Sequence, residues 1–359
     1  MTTKHIVFAV LLLTVMSLSG GMTAINQLAI AHGSQKESVD SFRYSEGITR
    51  NKEQRIIGVD LRDRQVNLSV VQELKALEHL QKINLAGNAL SAGMFEILGA
   101  IDSLESLDLR GCRLDGADLS HLRSLKKLKS IRLSGKKTPL RLGDNDLAQL
   151  AAIRSLRALF VDFLPVRDAG ITSFSQHPNM RELGLAGTQI TDSALSYLAS
   201  IPNLKKLRVA NTTVTGRGLQ ALEVHPEIQD IDLSGCQNLE QKSLASIGKI
   251  SKLKKLNLYD TNISDDGVQQ LKAAVKLKWL NLDKTPITDE SLKVVAKMQR
   301  LEFLHLGSTQ ITDAGLGELE DLKALKNLVA TQTFVTDQGV KKLKNAIPTV
   351  KIKSGPKGE

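Results

Sequence analysis

The hydrophobic and polar positions of this chain follow one pattern from residue 55 to the C-terminus, and residues 301–316 show it most completely. They read Leu-x-x-Leu-x-Leu-x-x-Thr-x-Ile-Thr-Asp-x-Gly-Leu. The first Leu of each Leu-x-Leu pair, or the Val or Ile that replaces it, marks one unit. The markers are Val59, Ile83, Leu107, Ile131, Leu159, Leu183, Leu207, Ile231, Leu256, Leu280, Leu304 and Leu328. They are 24 residues apart, except for 28 after Ile131 and 25 after Ile231, so the chain is a repeat array.

Each unit predicts one strand, one turn and one helix. Alternation in Leu-x-Leu predicts a short strand with Leu inward and the intervening residue outward. A Thr in the following turn can satisfy backbone groups that the bend leaves unpaired, and Asn88, Cys112 and Cys236 replace it in three units. Thr-Asp or Ser-Asp then predicts a helix N-cap before apolar positions such as Leu316, Leu319 and Leu322. Stacked units would cover each other's apolar faces.

These motifs resemble the leucine-rich-repeat family, in a variant common in secreted or envelope proteins of bacteria. The resemblance covers about 300 of the 359 residues. It implies an α/β solenoid shaped like a horseshoe, with parallel strands on the concave face, helices on the convex face and a role in protein interaction. The repeats are also similar to those of F-box leucine-rich-repeat proteins. The segment before Ile57 is too short and polar for an F-box, so an adaptor role is the least favoured function.

The N-terminus predicts an export signal over residues 1–31. Lys4 precedes an apolar run from Ile6 to Leu18, and Ala29-Ile30-Ala31 supplies a small-x-small cleavage site. Ser19-Gly20-Gly21 is a second possible site, and an uncleaved segment would serve as a membrane anchor. Residues 32–54 are predicted as a polar linker or loose cap, 55–353 as the solenoid and 354–359 as a tail. The expected location is secreted, periplasmic or in the cell envelope, or else N-terminally anchored in the membrane.

The charge suggests a second class of function. The net charge is +10, and six lysines against one acid fall between Val340 and Glu359. Such a basic C-terminus could attach the protein to an anionic envelope polymer. The remaining excess is assigned to the helices.

The sequence contains no combination of residues that indicates catalysis, a cofactor or a metal. Cys112 and Cys236 occupy turn positions five units apart, too far for a disulfide, and are predicted to be buried thiols. His177 and His225 lie two units apart and have no further ligands at hand. No nucleophile elbow, zinc-protease motif, phosphate loop or Cys-x-x-Cys pair occurs. We therefore expect neither an enzyme nor a cofactor.

Three outward positions per strand form the predicted concave face: the residue before each marker, the residue after it, and the residue three after it. Seven basic residues occupy them, namely Arg62, Lys82, Arg110, Arg132, Lys206, Arg208 and Lys255. Seven acids do so as well, namely Asp60, Asp108, Asp162, Glu182, Asp230, Asp232 and Asp283. This balance argues against a nucleic-acid groove, which needs one sign of charge.

Aromatic residues on this face are few and close together. Trp279 and Phe303 occupy the same position on neighbouring strands, with His305 beside them and Tyr259 diagonally across. Together with Asn281 and Asp283, these six residues form the predicted ligand-binding patch, whose partner would be a protein or possibly a glycan. Alternatively, the two rings pack only against each other and bind nothing. Phe160 and Phe163 form a smaller second candidate.

Overall fold

A computed structural model describes residues 47–115, 118–138 and 141–356 of the chain. The predicted export signal lies outside these residues. Within them, fourteen strands form one sheet in which neighbouring rungs pair in parallel, apart from the antiparallel first strand. The strands of this sheet are β1 (Ile48–Arg50), β2 (Ile56–Asp60), β3 (Lys82–Asn84), β5 (Ser106–Asp108), β7 (Ser130–Ser134), β8 (Ala158–Asp162), β9 (Glu182–Gly184), β10 (Lys206–Arg208), β11 (Asp230–Asp232), β12 (Lys255–Asn257), β13 (Trp279–Asn281), β14 (Phe303–His305), β15 (Asn327–Thr333) and β16 (Lys351–Pro356). β4 (Ala89–Ser91) and β6 (Arg113–Asp115) pair separately.

All twelve markers lie in strands, and each pairs with the marker of the next rung, as Leu280 does with Leu304. This confirms the predicted solenoid with parallel strands. A thirteenth parallel rung, β16, is centred on Ile352, which is 24 residues after Leu328 and in register with it. β16 continues to Pro356, past the predicted solenoid end at residue 353. β1 pairs with β2 and lies in the segment predicted as a linker or loose cap.

Short helices alternate with the strands along the chain. They are α1 (Leu68–Lys75), α2 (Ala92–Leu98), α3 (Asp144–Ala151), α4 (Asp168–Thr172), α5 (Asp192–Ala199), α6 (Leu244–Lys249), α7 (Asp265–Gln270), α8 (Asp289–Val295), α9 (Asp313–Glu318) and α10 (Asp337–Ala346). Leu119–Ser124, Arg217–Leu222, Gln241–Ser243 and Leu271–Ala273 are 3₁₀ turns. No helix among these described residues is long and apolar enough to cross a membrane.

The helices are shorter than the apolar period suggested. Leu316 lies in α9, but Leu319 is its C-cap and Leu322 lies beyond it, although all three are buried. After α9 the chain continues through successive turns, in which the Leu322 N–H donates to Leu319 O and the Leu325 N–H to Leu322 O. Residues three apart therefore still point inward without a continuing α-helix. This corrects the predicted helical assignment of Leu319 and Leu322.

The turn after the strand has the predicted buried Thr, Asn or Cys side chain in nine of the twelve units, and Leu164 is among the exceptions. Thr309 is 1% exposed and its hydroxyl donates to Leu306 O at 2.5 Å; five other threonines make the same bond. The thiols of Cys112 and Cys236 instead donate to a carbonyl of the preceding rung, Leu85 O and Val209 O. The turn position four after the marker has a left-handed backbone in eleven of the twelve units. Some units have a glycine there, such as Gly187, and others have a residue with a side chain, such as Ser308.

The Thr-Asp-x-Gly motif joins one rung to the next. Thr312 caps α9, as predicted, by accepting from the Ala314 N–H. Asp289 of the preceding rung accepts both the Thr312 N–H and its hydroxyl, at 2.8 and 2.6 Å. A Cβ on Gly315 would overlap that same carboxylate, so the motif needs a glycine there. The same bonds occur in the pairs Asp168–Thr191, Asp192–Thr215, Asp265–Thr288 and Asp313–Thr336.

Candidate functional site

The predicted patch is centred on a pair of stacked aromatic rings. β13 and β14 place Trp279 directly opposite Phe303, and the rings lie 5.0 Å apart with planes inclined by only 5°. The Lys255 ammonium of β12 lies 4.5 Å from the Trp279 ring centroid, on the neighbouring strand. Both rings are half-buried on the outward face of the sheet. The two aromatics therefore contact each other while parts of both rings remain open to solvent.

His305 supports the backbone beneath these rings. Its ring lies 6.4 Å from that of Phe303, and its Nδ1 accepts a hydrogen bond from the Gly307 N–H at 3.2 Å. The neutral ring therefore carries its proton on Nε2. Asn281 does the same one rung earlier, where its Oδ1 accepts from the Asp283 N–H at 2.9 Å. Both residues, which the sequence suggested only as ligand contacts, already hold the end of their strand.

Asp283 is a largely buried carboxylate of the patch, with its side chain 17% exposed. Its side chain accepts no hydrogen bond from any described residue, and His305 Nδ1 lies 3.8 Å from its Oδ2. The carboxylate lies against Gly307, whose missing side chain leaves it room. Burial lowers the pKa of His305, although the Asp283 charge opposes this shift. The imidazole is therefore neutral at neutral pH and forms no salt bridge with Asp283 there.

Tyr259 stands apart from the other aromatics. Within the described residues it has no ring contact with Trp279 or Phe303; instead the Lys284 ammonium lies 5.2 Å from its ring centroid. It occupies the same outward column as Asp283, one rung earlier. The structure thus brings Trp279, Phe303, His305 and Asp283 together and places Tyr259 at their margin.

The central rungs carry charge on the same face, but these charges satisfy one another. Arg208 of β10 donates to Asp162 at 2.7 Å and to Asp232 at 3.2 Å, so one guanidinium joins β8 to β11. It passes Gly184 of β9, which has no side chain in the way. Lys206–Glu182 and Lys255–Asp230 make further ion pairs at 3.5 and 3.7 Å. A shallow pocket of about 220 Å³ lies among these groups, and burial raises the pKa of Asp230 within it.

Phe160 and Phe163, the smaller candidate, fill space left by glycines. A Cβ on Gly184 would meet the Phe160 ring, and one on Gly187 would overlap the Phe163 ring. The Arg132 guanidinium lies 4.9 Å from the Phe160 ring centroid and the Lys136 ammonium 5.3 Å from that of Phe163. These contacts give both rings a packing role.

The cysteines and the paired histidines are part of the core. Burial raises the pKa of Cys112 to about 11 and also raises that of Cys236, so both thiols are protonated at neutral pH. His177 Nδ1 accepts from the Met180 N–H while Nε2 faces Ile153 O, and burial lowers its pKa. His225 makes the equivalent bonds two rungs later. In the described part of the chain, no three His, Cys, Asp or Glu side chains group as metal ligands.

Comparison with known proteins agrees with this architecture. Residues 103–125, 249–272 and 297–319 match sequence families described as leucine-rich repeat. No curated protein matches the chain. An internalin of Listeria monocytogenes has a TM-score of 0.61 and 21% identity, covering 95% of this chain and 94% of its own. A leucine-rich-repeat protein of Leptospira interrogans has a TM-score of 0.45 and 16% sequence identity. The match covers 82% of this chain and 95% of that protein. The chain therefore carries leucine-rich repeats and has the fold of a leucine-rich-repeat solenoid.

Proposed function

We propose that this protein binds a protein partner, without catalysis, through the C-terminal rungs of its concave face. The contact is centred on Trp279 and Phe303, with Asp283 and His305 beside them and with Asn281 and Tyr259 at the margin. The stacked, half-open rings are the observation that carries the proposal. Leucine-rich-repeat domains commonly serve as interaction scaffolds, which supports the same class of function.

The surroundings of the rings suggest what a partner must offer. The stack presents rigid apolar area, which contributes to binding at little cost in side-chain entropy. Asp283 offers a carboxylate that no described residue bonds, so a donor from the partner, such as an Arg, Lys or backbone N–H, would satisfy it. An apolar segment with a basic residue next to it therefore fits this patch best. A glycan stacked on the rings is the alternative ligand.

The proposal is tested by replacing both rings. Trp279→Ala with Phe303→Ala should weaken partner binding by about 2–4 kcal/mol, because central aromatic contacts dominate interface energies. Loss of the stack should lower the free energy of unfolding by only about 1 kcal/mol. Partners would be recovered with the exported form of the wild-type protein and identified by mass spectrometry. Binding of each variant would then be measured by calorimetry and unfolding by urea titration.

Glu182→Ala with Lys206→Ala is the matched control, because these residues occupy the same outward column on β9 and β10. This variant should bind the partner as the wild type does. Equal loss of binding in both variants would contradict a site at the aromatic rungs. A large loss of stability with unchanged binding in the aromatic variant would show that the rings serve packing alone.

Export to the cell envelope, or anchoring through an uncleaved N-terminus, completes the proposed setting. Attachment to an anionic envelope polymer through the C-terminal lysines is the second candidate. Lys341 and Lys344 of α10 and Lys351 and Lys353 of β16 are exposed, which supports it. Lys342 forms an ion pair with Glu320 at 3.0 Å, so fewer charges are free than the sequence suggested. Reading the mature N-terminus of the exported protein by mass spectrometry tests the signal.

A further inference from the structure

One lateral edge of the solenoid, where the chain leaves each helix and enters the next strand, forms a continuous ladder. The residue two before each marker donates its N–H to the carbonyl of the same residue one rung earlier. Such bonds link Lys129, Arg157, Arg181, Lys205, Gln229, Lys254, Lys278, Glu302 and Lys326 in order. All of the N–O distances in this series are 2.7–2.9 Å. Side chains at this edge are therefore stacked at the strand spacing of about 4.8 Å.

This edge carries a strong excess of positive charge, with fourteen of the 48 Lys and Arg residues of the chain. We define the basic edge as the four residues that precede each marker by five to two positions, from the Ile131 unit to the Leu328 unit. It holds fourteen basic residues: Lys126, Lys127, Lys129, Arg154, Arg157, Arg181, Lys205, Lys252, Lys254, Lys276, Lys278, Arg300, Lys323 and Lys326. Only Glu227 and Glu302 oppose them. The assignment of the charge excess to the helices and tail was therefore wrong.

Acidic neighbours neutralise only a minority of these cations. Glu105 pairs with Lys129, Glu227 with Lys205 and Lys252, and Glu302 with Lys278 and Lys326. The two lysines hold the pKa of Glu302 at about 2. Nine basic residues remain without an acidic partner among the described residues. Arg157, Arg181 and Arg300 are exposed and make no side-chain hydrogen bond there either.

The opposite edge of the same rungs differs in charge. Positions four to seven after the same nine markers hold three basic residues, Lys136, Lys137 and Lys284, and one acid, Asp260. The concave face between the two edges is balanced and internally paired. A net charge spread evenly over the protein would not leave one edge so basic. The geometry of the repeat concentrates the charge into one line.

We propose that the basic edge binds a linear polysaccharide bearing carboxylate, sulfate or phosphate groups. Nine rungs at about 4.8 Å give a line of about 40 Å, which suits an extended polymer with regularly spaced charges. None of its 36 positions is aromatic, so it lacks the stacking surfaces with which proteins bind the bases of single-stranded nucleic acid. The predicted export signal would also place the chain among envelope polymers. This site is separate from the aromatic patch and does not depend on it.

The test compares variants with equal loss of charge in the full chain. Arg157→Gln, Arg181→Gln and Arg300→Gln together remove three unpaired cations from the basic edge. Binding to polygalacturonate, with uncharged dextran as the blank, should weaken at least about tenfold at physiological salt. The slope of log affinity against log salt concentration should flatten by about 2, because fewer counterions are released from the polymer when three cation contacts are lost. Unfolding by urea should be unchanged, since these side chains form no hydrogen bond or ion pair with any described residue.

Two control variants test whether a loss of binding is specific to the basic edge. Lys242→Gln with Lys272→Gln and Lys297→Gln removes the same charge from the helix side, and Lys341→Gln with Lys344→Gln and Lys351→Gln removes it from the C-terminus. Both should keep nearly wild-type binding and salt slope. An equal loss in the first control would overturn the proposal in favour of a net-charge effect, and a greater loss in the second would favour the C-terminus. Tighter binding to duplex DNA or to phosphatidylglycerol vesicles than to polygalacturonate would also overturn it.

Discussion

The central and the aromatic rungs of the concave face share a backbone but use their outward positions differently. In β8–β11, Arg208 and its acidic neighbours satisfy one another across four strands. In β12–β14, the same columns hold stacked rings and a carboxylate that receives no hydrogen bond from a described residue. A charge network that is already satisfied loses its bonds when a partner replaces them, whereas half-open rings gain contacts. The contrast explains why we place binding at the aromatic rungs.

The largest difference between the two regions should appear at the left-handed turn position. Gly187 has φ of +65°, and a Cβ there would overlap the Phe163 ring, so Gly187→Ala should lower the free energy of unfolding by about 2 kcal/mol. Ser308 has φ of 54° and already carries a Cβ. Ser308→Ala loses only an exposed bond to Gln332 and should change stability by less than about 0.5 kcal/mol. Urea unfolding of both variants measures the contrast, and equal losses would contradict it.

A smaller difference in stability should separate the loss of Arg208 in the central rungs from the loss of Lys255 beside the aromatic rings. Arg208→Ala leaves Asp162 and Asp232 without a shared partner and should cost about 1 kcal/mol, a value kept low because the side chain is 40% exposed. Lys255→Ala removes an ammonium from the Trp279 ring and a long ion pair, and should cost about 0.5 kcal/mol. Added salt should shrink the Arg208 effect. An Arg208 effect that is independent of salt would argue that packing holds these strands.

The smallest expected effect is a dependence of stability on pH at the aromatic rungs. The folded-state pKa of His305 lies below its ordinary value of 6.5, so the folded state disfavours its protonation. Its contribution to stability is complete above pH 6.5 and falls as the pH drops through 6.5 towards the folded pKa. His305→Asn should keep the strand end intact, as Asn281 does, and remove this part of the pH dependence. NMR titration of the His305 ring tests the direction; a midpoint above 6.5 would contradict it.

The fold was largely predictable from the sequence, and the site only in part. A period of 24 residues places each marker opposite the next, so the columns of Trp279 and Phe303 could be aligned without coordinates. The basic edge is visible in the same alignment, because its residues recur five to two positions before each marker. The support that Asn281 and His305 give to the backbone could not be predicted, because it depends on the bend after each strand. The hydrogen bonds between Asp289 and Thr312 could not be predicted either, because they join two rungs, whereas the Thr-Asp motif indicates only a helix cap within one rung.

By itself, the sequence determined the rungs, their register and their buried faces, because these follow from a fixed repeat of apolar residues and from turn residues with defined backbone needs. The tertiary structure decided which outward groups are already satisfied. Arg208 reaches Asp162 two strands away past Gly184, which has no side chain, and Asp283 lies against Gly307 without a hydrogen bond from any described residue. Such pairing depends on distances of a few ångströms between side chains 24 or more positions apart. The repeat predicts which residues are aligned on neighbouring strands but not the distances between their side-chain atoms.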